Sequence, residues 1–200
     1  MISFTVDKQM ARMLNEFAPD IRITQTLRPS ESKWLSNGLV ELFGGCYYNY
    51  PDKMSEFSEV GRKGEMEEDR EYVQWMDNKV HIMDVDKDGV DGEELSAGLS
   101  LLVATYNEIR KKRYDGEYTF YMSSDVGSYE ENGERRSYAN CVIRFYRNYG
   151  NPVEDLNPEY LNRDDSAGLI CFQVGPDDRQ PINAIEQIDG QWFLTYREGA

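Results

Sequence analysis

The stretch Asp84–Arg113, DVDKDGVDGEELSAGLSLLVATYNEIRKKR, joins an acidic turn to the longest amphipathic pattern in the chain. Leu95, Leu99, Leu102, Val103, Tyr106 and Ile109 recur at helical spacing, which predicts one long helix with an apolar face. Carboxylates at its start and Arg110, Lys111, Lys112 and Arg113 at its end suit the helix macrodipole, and Asp115-Gly116 is the expected stop. A helix with one apolar stripe buries it in a core, so other elements must cover this face.

The residues ahead of the helix carry the one pattern that points to a specific chemistry. Asp84, Asp86 and Asp88 alternate, Gly89 permits a sharp bend, and Val90, Asp91 and Glu94 follow. A hard cation takes six or more oxygens at short range, and side chains two apart in a curling loop can converge on it. In this order the run resembles the calcium loop of the EF-hand family. Asp84, Asp86 and Asp88 match its first three ligand positions, and Gly89 matches its turn glycine. The resemblance covers about a dozen residues. It implies a Ca2+ site made by Asp84, Asp86, Asp88, the Val90 carbonyl and Glu94, with Asp91 as an auxiliary ligand. The loop is one residue short of the family pattern, because Leu95 occupies the twelfth position and Glu94 comes one earlier. The competing reading is a solvated acidic turn that caps the helix.

Downstream the period changes from helical to alternating. Tyr118, Phe120 and Met122 alternate, and so do Ala139, Cys141, Ile143 and Phe145, with a Glu130-Glu131-Asn132-Gly133 turn between the two runs. Tyr138, Val142 and Tyr146 give the second strand apolar groups on its other face, as in a central strand. Residues 148–167 read as an acidic loop. Leu169–Val174 and Ile182–Ile188 read as strands, and Asp189-Gly190 is a two-residue hairpin signal before Trp192, Phe193, Leu194 and Tyr196.

Upstream, residues 72–83 fit either a helix, with Met76, Val80 and Met83 on one face, or two strands turning at Asp77-Asn78-Lys79. The helix would complete an EF-hand arrangement. The polar stretch 51–70 is the candidate boundary within a single domain spanning 1–200. Ile2, Phe4 and Val6 predict a strand, and Asp7 caps a helix with Met10, Met13, Leu14 and Phe17 on one face, ended by Pro19. Ile21 and Ile23 predict a second short strand. Pro29 opens a helix carrying Trp34, Leu35, Leu39, Leu42 and Phe43, closed by Gly44-Gly45, and Cys46–Tyr50 is a strand or an aromatic loop.

N-terminal helices and one long amphipathic helix packed on a C-terminal antiparallel β-sheet make an α+β fold. The order of elements and the ending IDGQWFLTY resemble the curved-sheet, nuclear-transport-factor-like folds, which host both enzymes and binding modules.

Composition narrows the function. The 200 residues carry a net charge of −15, concentrated in 51–100 and in the last fifty. Such a field repels nucleic acid and anionic membrane and attracts cations or basic proteins. Fourteen Tyr, eight Phe and three Trp oppose disorder. Cys46, Cys141 and Cys171 are odd in number and widely spaced, which suits reduced thiols. MISFTVDKQM lacks the pattern of a signal peptide, and no apolar run is long enough for a bilayer, so a cytoplasmic protein is expected. His81 is the sole histidine, and no nucleophile elbow or phosphate loop accompanies it. The expected function is a non-catalytic acidic binding protein with one Ca2+-stabilised loop and a basic protein surface as partner. The alternatives are an acidic inhibitor of the immunity or phage anti-defence type, covering a basic enzyme or nucleic-acid-binding protein, and a carboxylate-based hydrolase.

Overall fold

The computed structural model describes residues 1–17, 21–24, 26–42, 44–49, 70–85, 91–150 and 167–197. It is α+β. Seven strands form one antiparallel sheet, and helices pack on it. The chain begins with β1 (Ile2–Val6), whose Ile2 and Phe4 point into the core while Ser3 and Thr5 face out. Helix α1 (Lys8–Phe17) follows, with the Met10 N–H donating to Asp7 Oδ1 at 2.7 Å and Met10, Met13 and Leu14 buried.

Two N-terminal expectations are corrected. Residues 21–24 form no strand. They run extended along the long helix, with the Arg22 N–H donating to Ser96 Oγ and the Thr24 N–H to Ser100 Oγ, each at 3.0 Å. The Pro29 helix is also shorter than expected: α2 ends at Leu35 (Pro29–Leu35), and Gly38, at φ 71°, turns the chain into a hairpin of β2 (Leu39–Leu42) and β3 (Gly45–Tyr48). Leu39 and Leu42 stand at helical spacing, but they pair with Tyr48 and Gly45 across the hairpin instead. Gly44, at φ 84°, belongs to its turn and not to a helix cap. Phe43, like Pro19 and Tyr50, lies outside the described residues.

Residues 72–83 divide between the two readings. Helix α3 (Arg70–Asp77) stops at Asn78, and β4 (Val80–Val85) starts two residues later. Asn78 and Gln74, one helical turn apart and fully buried, explain the break. Gln74 Oε1 accepts from the N–H groups of Cys46 (2.9 Å) and Arg147 (3.1 Å). Asn78 Oδ1 accepts from the Tyr48 N–H, and Nδ2 donates to the carbonyls of Cys46 (2.8 Å) and Phe145 (3.0 Å). Two side-chain amides thus stand between the edge of β3 and the end of the large sheet and satisfy backbone groups on both.

Helix α4 (Gly92–Lys112) crosses the sheet, and Leu95, Leu99, Leu101, Leu102, Tyr106 and Ile109 are all buried. Close approach is possible at Gly98, where a Cβ would stand 2.6 Å from the Met122 sulfur. The helix ends before Asp115-Gly116, because Arg113 takes the left-handed conformation (φ 57°) and donates its N–H to the Arg110 carbonyl. Then come β5 (Tyr118–Glu131), β6 (Glu134–Arg147), β7 (Ala167–Val174), β8 (Ala184–Ile188) and β9 (Gln191–Thr195). The turns Asn132-Gly133 and Asp189-Gly190 both have positive φ at each residue, the geometry that matches strand twist in a two-residue hairpin.

The sheet order is β4-β6-β5-β7-β1-β9-β8. The N-terminal strand lies inside the sheet, where Thr5 and Val6 pair with β7 and Ile2 to Phe4 pair with β9. The strands are therefore not the simple C-terminal meander that their order suggests. The core is aromatic at its centre. The Phe120 ring lies 4.8 Å from Phe172 and 5.9 Å from Phe145, both nearly parallel, with Tyr106 edge-on at 6.3 Å.

Candidate functional site

The acidic run lies between a strand and a helix. Asp84 is in β4, in register with Asn140 of β6, and Asn140 is in turn in register with Asp125 of β5. Neighbouring strands lie about 4.8 Å apart, so two carboxylate-bearing positions flank a carboxamide-bearing one. Asn140 Oδ1 is buried and has no hydrogen-bond donor among the described residues. Asp86, Asp88 and Val90 lie outside the described residues, and among those described no three His, Cys, Asp or Glu side chains are grouped to hold a metal.

The far end of the run is defined. Asp91 is the N-cap of α4, its Oδ1 accepting from the N–H groups of Glu93 (2.9 Å) and Glu94 (3.2 Å). Glu94 reaches back, accepting from the Asp91 N–H at 3.0 Å. This reciprocal capping box explains why Glu94 stands three residues after Asp91, and a cap of this kind is worth about 1 kcal/mol. Of the sequence-predicted ligands, the structure joins Asp91 and Glu94 through this box. A bidentate grip on a cation by Glu94 would draw on an oxygen already engaged there.

Beside these first turns of α4 is a cavity of about 310 Å³. Its floor is Ser96, Ala97 and Ser100, and Arg22, Thr24, Thr26 and Leu27 form its wall. On the α2 side, Arg28 grips Glu31 through two nitrogens at 2.9 and 3.0 Å and reaches Glu93 at 3.4 Å. Burial alone would raise the Glu31 carboxyl, but Arg28 and the Ser30 hydroxyl (2.6 Å) outweigh it and hold its pKa below the ordinary carboxylate value. Arg28 is correspondingly raised, chiefly by its bond to Glu31. The sequence gives little sign of this cavity, because its walls meet through serine hydroxyls 74 and 76 residues away in the chain.

Burial holds the three thiols and Tyr106 in their neutral forms. Burial pushes the Cys141 thiol up to about 12 and that of Cys171 to about 11, and raises Cys46 further. Tyr106 is pushed up to about 12, again by burial. His81 is exposed on the edge strand β4. The folded protein keeps thiol protons that the unfolded chain gives up above about pH 9, so their contribution to stability is lost as pH rises through that value toward 12. A tenfold difference in proton affinity between the folded and unfolded chain is worth about 1.4 kcal/mol for each group. Urea midpoints are therefore expected to be flat from pH 6 to 8 and to fall steadily above pH 9. A flat profile through pH 11 would contradict the burial of these groups.

Among the described residues no helix is long and apolar enough to cross a membrane. The class defined by the structure is an α+β protein with a capping box at the start of its long helix and a cavity beside that helix. No protein-family model, curated protein or solved structure matches the chain.

Proposed function

We propose that this chain is a non-catalytic acidic binding protein whose Asp run holds a calcium ion, and that its partner is a basic protein surface. The observation that carries the cation reading is the row Asp84, Asn140 and Asp125, with the Asn140 carbonyl oxygen buried and lacking a donor among the described residues. An unmet buried carbonyl is costly, on the order of 1–3 kcal/mol, and a hard cation is a natural partner for it. The ion would lie where β4 gives way to α4, fastening the helix start to the sheet. Glu93, whose side chain is largely exposed, would then face the partner.

Thermal unfolding with chelator, calcium and magnesium in turn tests the ion. Calcium at about a hundredfold over its dissociation constant adds about 2.7 kcal/mol, which is a rise of roughly 5–10 °C for a chain of this size. The double variant Asp84→Asn/Asp86→Asn should abolish the rise, and Asn140→Leu should reduce it. An unchanged calcium response in the double variant refutes the site.

The concentration of charge also favours a second reading, an acidic inhibitor that covers a basic surface and is indifferent to calcium. Its binding would weaken steeply with salt and survive chelation.

A further inference from the structure

We infer that Asn132, at the tip of the β5–β6 hairpin, is a site of spontaneous covalent modification. Its side chain cyclises onto the Gly133 backbone nitrogen and converts with time to aspartate and isoaspartate. The tip is the end of an arm. Pairing of β5 with β7 stops at Asp125, and pairing of β6 with β4 stops at Ala139. The five pairs beyond, from Gly127 with Tyr138 to Glu131 with Glu134, have no third strand among the described residues. A two-stranded hairpin is marginal in water. Its ion pair between Arg136 and Glu131, at 3.0 Å, is exposed, where such contacts add little. The tip therefore opens at a free energy well below that of global unfolding.

In the closed turn Asn132 and Gly133 both have positive φ, 54° and 80°, and the ladder holds them there. Opening lets the chain rotate until the Gly133 nitrogen faces the Asn132 side-chain carbonyl carbon. The nitrogen gives up its proton and attacks. A C–N bond forms, the bond to the side-chain nitrogen breaks, and ammonia leaves a five-membered succinimide. Water then opens the ring at one carbonyl to give aspartate, or at the other to give isoaspartate, whose backbone runs through the former side chain. Glycine leaves the nitrogen unshielded, and nothing stands within 4 Å of where a Gly133 Cβ would be. Isoaspartate lengthens the main chain of a two-residue turn, and turn length sets hairpin register. The five pairs of the arm lose theirs, while the strands below Asp125 and Ala139 are kept by β7 and β4.

The chain holds a built-in comparison, because Asn37-Gly38 is the same dipeptide and Asn37 is also exposed. There the attacking nitrogen is engaged: the Gly38 N–H donates to the Leu35 carbonyl at 2.9 Å. The Gly38 carbonyl accepts from the Asn49 N–H at 3.0 Å, and Asn49 Nδ2 donates to the Asn37 carbonyl at 3.2 Å. Structure, not sequence, thus separates the two pairs.

The test incubates the full chain at mildly alkaline pH and follows both Asn-Gly pairs by peptide mapping, with isoaspartate and aspartate resolved by retention. Asn132 should convert at least about tenfold faster than Asn37 in the folded protein, and the two rates should come together in guanidinium chloride. Glu131→Ala, which removes the exposed ion pair, should speed conversion of Asn132 and leave Asn37 unchanged. Hydrogen exchange in the isoaspartate form should rise at 127–138 and stay the same at 118–125. Equal rates at the two pairs in the folded protein, or no product at 132 in the time that denatured chain forms it, would overturn the site. Unchanged exchange in the arm of the modified protein would overturn the loss of register.

Discussion

Replacing Asn78 by leucine is expected to cost about 3–9 kcal/mol, because it leaves three backbone groups without partners at roughly 1–3 kcal/mol each. Those groups are the Tyr48 N–H and the carbonyls of Cys46 and Phe145, all met by the one buried carboxamide. Leucine is close to asparagine in size, so the loss reports hydrogen bonding more than packing. A protein of this size has about 5–15 kcal/mol of stability in all, and the variant should be near its unfolding midpoint at moderate temperature. Gln74→Leu should also destabilise, since Oε1 serves Cys46 and Arg147 together. The two amides hold the same pair of edges, so the double variant should cost less than the sum of the single ones. Urea unfolding measures all three. A loss below about 1 kcal/mol for Asn78→Leu would mean that water replaces the amide, and that the two edges are held by packing alone.

These two residues also mark where the sequence stops being legible. Asn78 reads as a turn residue, and it does end a helix, but nothing local indicates that it bonds to chain 30 and 67 residues away. Periodic elements were readable because their signal is internal. The stripe from Leu95 to Ile109 specifies α4, the alternation around Phe120 and Ile143 specifies β5 and β6, and Asp189-Gly190 specifies a hairpin. Leu35, Leu39 and Leu42 misled for the same reason: their spacing fits a helix, while Gly38 and the pairing with β3 make the last two a strand. The position of β1 between β7 and β9 is a long-range choice that no local pattern encodes. The site divides likewise. Its run of carboxylates is visible in the chain, and Asp91 and Glu94 also carry the spacing of a capping box. Asp125 and Asn140 join Asp84 only through the register of three strands, and the cavity exists only because a non-repetitive segment lies on two serines.

Register likewise sets the second large effect, at Phe120. Phe120 pairs with Phe145 on one side and Phe172 on the other, so three rings from separate strands fall in one row beneath Tyr106 of α4. Its ring is fully buried and stacks on both neighbours, on Phe172 at an interplanar angle of 6°. Phe120→Ala is expected to cost about 3–5 kcal/mol, the lost transfer free energy plus the cavity left behind. That corresponds to a fall of roughly 6–20 °C in melting temperature at this chain length. Phe120→Leu keeps most of the volume and should cost much less, so the difference between the two isolates the space that the ring fills. Because Tyr106 also fastens the 178–180 loop through its hydroxyl, which reaches the Asp178 and Gln180 carbonyls at 2.7 and 2.8 Å, the cavity should loosen that loop as well. Faster hydrogen exchange at Asp178 and Arg179, whose N–H groups bond within the loop, is the corresponding readout. A drop in stability without that local change would place the cost in the sheet alone and show that α4 does not transmit it.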